Sequence, residues 1–128
     1  AGVTSAYARE LKRAYDRIRR DFIEELLKNE NFSPLAISDP SREIVGAYCG
    51  DLLSWVMGRA KQNDAWITIM SNVNIAAVAA LADTACIILA EGVELENNVI
   101  EVALNKGINI LAAAEPAYEI AVKLSKVL

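Results

Sequence analysis

The chain has no histidine and only two cysteines, Cys49 and Cys86, in 128 residues. That scarcity excludes histidine-based triads, zinc-finger clusters and CxxC redox pairs. There is no GxxxxGK[ST] run and no GxGxxG, so the usual phosphate-cradling loops are missing as well. No apolar stretch approaches the roughly 18 residues that a membrane-spanning helix needs. Basic residues are in deficit, 13 against 17 acidic ones, for a formal net charge of -4. A general attraction to nucleic acid phosphates or to an anionic membrane is therefore not expected. Each cysteine sits inside an apolar run and is expected to be a reduced core residue, which suits the cytoplasm. The opening Ala1-Gly2-Val3-Thr4-Ser5 shows no charged segment followed by an apolar one, so no secretory signal is read there.

What the chain has instead is apolar bulk. Hydrophobic residues make up 54%, above the norm for a domain with one core, and the excess points to burial beyond that core. From Ala6 to about Asn29 the positions Tyr7, Leu11, Tyr15, Ile18, Phe22 and Leu26 recur at spacings of three and four. This predicts one long amphipathic helix, with Arg9, Lys12, Arg13, Arg17, Arg19 and Arg20 on its other faces and Glu24 paired to Lys28. The polar run Asn29-Glu30-Asn31 and Pro34 end it. Residues 1–33 are thus set apart as an N-terminal helical unit, and residues 34–128 as an α/β domain.

Beyond Pro34 short apolar runs alternate with helical patterns. Leu35 to Ile37 is a short apolar segment, and Ile44 to Cys49, Ala65 to Met70, Ala85 to Ala90 and Ile108 to Leu111 read as strands. Helices are expected over residues 51–61, 73–82 and 96–106, with a last one opened by Glu115-Pro116. The fold class that follows is α/β: three layers, α/β/α, with a mostly parallel sheet of four to five strands and an extra N-terminal helix.

In such a sheet the ligand crevice lies outside the carboxyl ends of the strands. The tips are Gly50-Asp51, Ser71-Asn72-Val73-Asn74, Glu91-Gly92 and Ala112-Ala113-Ala114-Glu115. Candidate ligand-binding residues are accordingly Gly50, Asp51, Ser71, Asn72, Asn74, Glu91 and Gly92. Asp51, Ser71 and Asn72 also suit plain helix capping. The tips hold carboxylates at Asp51, Glu91, Glu94 and Glu115 but no histidine, lysine or arginine, a poor set for catalysis. No catalytic residue, metal site or cofactor is assigned. The helix over residues 51–61 is apolar on more than one side, with Leu52, Trp55 and Val56 on one face and Leu53, Met57 and Ala60 on another. Either the N-terminal helix or a second subunit is expected to cover it. Trp55, Met57, Tyr15 and Phe22 are the candidate interface residues.

The run from Arg42 to Met57, with Gly50-Asp51-Leu52-Leu53-Ser54 at its centre, resembles the DRTGG domain family. So do Asp64 to Met70 and Ala82 to Gly92. The resemblance covers about residues 37–128 and leaves the N-terminal helix outside. It implies an α/β domain like the N-terminal domain of HPr kinase/phosphorylase, found alone or beside CBS domains, with a regulatory or ligand-sensing role; no activity of its own is established for the family. The chain departs from the naming motif by carrying Asn72-Val73-Asn74 at the DRT-like loop and Ala90-Glu91-Gly92 at the TGG-like turn.

The expectation is a non-catalytic regulatory module that binds a small polar ligand or a partner protein at the strand tips and forms a homo-oligomer. The alternative is a purely structural or adaptor oligomerisation domain without a small-molecule site, and a small carboxylate-based or metal-dependent enzyme comes third. Nucleic acid and membrane partners are not expected.

Overall fold

The computed structural model describes residues 5–12 and 22–128. Five strands form one sheet: β1 (Ser33–Ala36), β2 (Gly46–Cys49), β3 (Asp64–Thr68), β4 (Cys86–Leu89) and β5 (Ile110–Ala112), in the order β1-β5-β4-β3-β2. Strands β2 to β5 are parallel to one another. Only β1 runs antiparallel, pairing Ser33 with Ala112 and Pro34 with Leu111. The helices are α1 (Ile23–Leu27), α2 (Leu53–Arg59), α3 (Asn74–Ala82), α4 (Asn97–Asn105) and α5 (Ala117–Ser125), with a further helical stretch at residues 5–12. None of the helices described is long and apolar enough to cross a membrane.

Because β2, β3, β4 and β5 step across the sheet in one direction, right-handed crossovers place α2, α3 and α4 on the same face. Side-chain alternation follows. On that face Val56, Val78, Val99 and Ala103 pack with Trp66, Ile87, Leu89 and Ile110. On the other face Ile67, Ile88 and Leu111 meet Ile120 and Leu124 of α5, joined by Ile23, Leu26 and Phe32. The middle strands β3 and β4 are buried along their whole length, as strands covered on both faces of a parallel sheet are. The expected three-layer α/β/α class is what the chain adopts.

Some local expectations fail, each for a physical reason. The N-terminal helix does not run unbroken to Asn29. At Phe22 the backbone is extended (φ -91°, ψ 151°) and pairs with Glu43 as an antiparallel bridge. Ile23, which lies off the expected stripe, is the fully buried residue here, while Tyr7 and Leu11 on that stripe are exposed. Tertiary pairing with the chain before β2 overrides the helical period. The Glu24–Lys28 pair is replaced by Lys28–Glu25 at 3.1 Å, and Tyr15, Ile18, Arg13, Arg17, Arg19 and Arg20 fall outside the described residues.

Candidate functional site

The helix side reverses once along the parallel strands. The chain leaves β4 for α4 on one face and leaves β5 for α5 on the other. Such a reversal splays the outgoing segments and leaves a crevice at the carboxyl ends of the two strands. A cavity of about 520 Å³ lies there, walled by Gly92 to Leu95 after β4 and by Ala112 to Glu115 after β5. The third wall is Glu30, Asn31, Ser33 and Leu35. Antiparallel β1 supplies it, because its first residue stands beside the last residue of β5.

Charge in the cavity is acidic. Among the described residues, Glu30, Glu94 and Glu115 are the charged groups of its lining. Lys123 reaches Glu115 Oε2 from α5. With its nitrogen toward the carboxylate, the Asn31 amide donates to Glu115 Oε1 at 3.2 Å and its oxygen accepts from Lys123 at 3.3 Å. The apolar part is Leu35, Val93, Leu95 and the Ala112–Ala114 floor.

The turn after β4 offers no free anion cradle. Glu91 (φ 60°) and Gly92 (φ 70°) are both left-handed. Their N–H groups donate to Glu115 O at 2.8 Å and Ala113 O at 3.0 Å. Both amides are used to lock the tips of β4 and β5 together. Glycine suits this geometry, whereas glutamate at φ 60° carries a cost of about 1–2 kcal/mol.

The expected site residues are distributed rather than gathered. Gly92 lines the 520 Å³ cavity and Glu91 does not. Ser71 and Asn72 line a second cavity of about 450 Å³ with Glu94, Glu96 and Asn98, and Asn74 is not in its wall. Glu94 belongs to both cavities, so the two adjoin. Gly50 and Asp51 belong to neither. Asp51 Oδ1 accepts from Thr68 Oγ1 at 2.7 Å and from Ile69 N at 3.1 Å, tying the tip of β2 to that of β3. Gly50 O accepts from Trp66 Nε1 at 2.8 Å.

The capping roles also change. The residue preceding α2 is Leu52, not Asp51, and it has no side-chain cap. Before α3 stands Val73, again uncapped by a side chain. Asn72 Oδ1 instead accepts from Asn74 N at 2.9 Å, closing a turn ahead of the helix. What the sequence did not reveal is the wall of Glu30, Asn31 and Ser33 and the contribution of Lys123. The polar run at residues 29–31 read as a helix end, and nothing local announces that β1 will lie beside β5.

Cys86 is fully buried and burial pushes its thiol up to about 12. Cys49 departs from the expected buried pair: it is exposed at the sheet edge. Its pKa is still raised, by partial burial first and then by the negative charge of Asp51. Trp55 and Met57 are about half exposed, and Arg59 stacks over the Trp55 ring at 3.7 Å. Phe22 is half-buried, and Tyr15 lies outside the described residues. Among the described residues no three His, Cys, Asp or Glu side chains gather as a metal site would require.

Residues 47–127 match the family model of the DRTGG domain. Among solved structures the fold is similar to that of the CBS and DRTGG domains of the regulatory region of Clostridium perfringens pyrophosphatase, complexed with its activator diadenosine tetraphosphate. The TM-score is 0.65 at 14% identity, over 84% of this chain and 47% of that one. The chain therefore spans about half the length of that neighbour, and at this identity the likeness is one of fold. The comparison with curated proteins finds no match.

Proposed function

The chain belongs to the DRTGG domain family, and from that premise we propose that it is a non-catalytic regulatory module whose ligand or partner protein docks at the carboxyl ends of β4 and β5. The observation that carries this reading is the 520 Å³ cavity at the one place where the covering helices change face. Its size suits a small molecule. Its chemistry selects against phosphate: a tetraphosphate such as the neighbour's activator would meet Glu30, Glu94 and Glu115, with Lys123 already engaged by Glu115. Like charges at such range repel by several kcal/mol where water is partly excluded. The reading is therefore a neutral or cationic polar molecule that hydrogen-bonds the carboxylates and lays an apolar part on Ala112 to Ala114.

Metabolite mass spectrometry of protein purified under native conditions tests this, with Ala114→Trp as the variant that fills the cavity from an exposed position. One neutral or cationic compound is expected with the wild-type chain and not with the variant. Adenosine, spermidine and diadenosine tetraphosphate then serve as calorimetric probes. Binding of the tetraphosphate at low salt, unaffected by Ala114→Trp, refutes the assignment.

Self-association is the second element of the proposal, and on its own it would make the chain a structural or adaptor domain. The exposed Leu52, which precedes α2, and Trp55 and Met57 on it favour it, since single exposed apolar residues are ordinary but a group of them around one short helix is not.

A further inference from the structure

The two cavities at the strand tips differ in chemistry. The first, between the segments that leave β4 and β5, has a floor of Ala112 to Ala114 and apolar walls of Leu35, Val93 and Leu95. Of its carboxylates, Glu115 is already engaged, by Lys123 at Oε2 and by the Asn31 amide at Oε1. Glu30 and Glu94 form no ion pair among the described residues, so they remain as acceptors. An apolar slot edged by acceptors suits a flat body that carries N–H donors. The second cavity, between the segments that leave β3 and β4, has a mixed lining. Glu94 and Glu96 accept, while Ser71, Asn72 and Asn98 can also donate. The Asn72 oxygen is taken by Asn74 N, which leaves its NH2 for a ligand. A cation offers donors only and an anion acceptors only. A hydroxyl group offers both, as such a wall demands.

Glu94 lines both cavities and so stands at their junction. The gaps that they occupy are neighbours in the sheet, one strand spacing or about 4.8 Å apart. That is close to the separation of two small rings joined by one bond. We propose that the two cavities form one site for an unphosphorylated nucleoside whose base carries an exocyclic amine. The base lies on the Ala112–Ala114 floor with its amine donating to Glu30. The ribose enters the second cavity, where its hydroxyls donate to Glu94 and Glu96 and accept from Asn72 and Asn98. A carboxylate that holds ribose hydroxyls beyond the carboxyl ends of the strands is a known use of open α/β sheets. A phosphate on the ribose would set negative charge beside Glu94 and Glu96, and a keto group in place of the amine would turn an acceptor toward Glu30; both are disfavoured.

This rests on the reading that the ligand docks at the ends of β4 and β5, and adds to it the second cavity and the class of ligand. Titration calorimetry of the whole chain tests it, with adenosine, cytidine, inosine, dideoxyadenosine and adenosine monophosphate as probes. Adenosine or cytidine is expected to bind. Against adenosine, inosine, dideoxyadenosine and the monophosphate are each expected to bind at least tenfold more weakly, since each removes or opposes a hydrogen bond to a carboxylate. Ala114→Trp is expected to abolish binding. Glu96 and Asn98 are exposed and Glu96 makes no side-chain cap to α4, so replacing them costs the fold little. The double variant Glu96→Gln, Asn98→Ala is expected to bring adenosine down to the affinity of dideoxyadenosine and to leave dideoxyadenosine itself unchanged, a split that misfolding does not produce.

Dideoxyadenosine binding as tightly as adenosine overturns the ribose subsite. Inosine or the monophosphate binding as tightly overturns the class of ligand. If neither adenosine nor cytidine binds, while another neutral or cationic compound does and is lost in Ala114→Trp, the nucleoside is refuted and the docking place stands. A ligand of any class that Ala114→Trp leaves in place overturns both.

Discussion

Replacing Asp51 with alanine separates a structural role from a ligand-binding one. The Asp51 carboxylate is the acceptor for the hydroxyl of Thr68, which is 2% exposed, and for the N–H of the half-exposed Ile69. Without it the Thr68 donor is buried without a partner, a loss of about 1–3 kcal/mol, whereas Ile69 N–H regains water at small cost. The expected destabilisation is about 2 kcal/mol. In urea that lowers the unfolding midpoint by about 1 M with an unchanged slope, taking a slope of about 2 kcal/mol per molar. Asp51→Asn keeps an oxygen at the acceptor position and loses only the charge assistance, so about 1 kcal/mol is expected. Thr68→Val removes the stranded hydroxyl. In the Asp51→Ala background it should therefore cost less than in the wild type, by a coupling of about 1 kcal/mol. Stability of Asp51→Ala within about 0.5 kcal/mol of wild type, or additive behaviour of the double variant, refutes the reasoning and returns Asp51 to the list of free tip carboxylates.

Asn109 is buried and fully used: its oxygen accepts from Ser38 N and Asp39 N, and its nitrogen donates to Asp39 O and Ala85 O. Asn109→Ala is expected to cost about 3 kcal/mol in chemical denaturation, and Asn109→Asp, which sets a carboxylate against two carbonyls, should recover stability as the pH falls, because the folded state then holds the proton more tightly. Asp83 has its pKa lowered by its hydrogen bond from Arg42 before any other cause. The stability from that pair is present above the ordinary aspartate value of 3.8 and is lost as the pH falls through the lowered folded value, so Asp83→Asn should remove this acid-side dependence from pH-resolved melting curves. In thiol titration at pH 8, Cys49 is expected to react in the native protein and Cys86 only on unfolding, since burial holds Cys86 near 12; two native-state thiols of equal rate would contradict the buried placement.

The fold was legible in the sequence because β3 and β4 are buried on both sides and so carry apolar residues at successive positions, Ala65-Trp66-Ile67 and Cys86 to Leu89, while Gly107, at φ 74°, marks a helix end that only a left-handed residue closes easily. The order of the parallel strands is carried by no single residue; handedness decides only the face on which each crossover helix lies. The tips after β2, β3 and β4 read as loops, but the capping role read at Asp51 is not the one it has. Asp51 looks like a helix cap in one dimension and is a β2–β3 clasp in three, because Thr68 lies 17 residues away. Likewise Phe22 keeps a helical spacing and yet adopts extended backbone, since the bond from Ile23 N to Arg42 O outweighs a local preference worth only tenths of a kcal/mol per residue. The acidic cavity depends on residues 30, 31, 33, 94, 115 and 123 meeting at one end of the sheet. Periodicity determines which face of an element is buried. Which elements become neighbours is decided by β1 turning antiparallel beside β5, a choice settled by long-range packing that no short window of sequence contains.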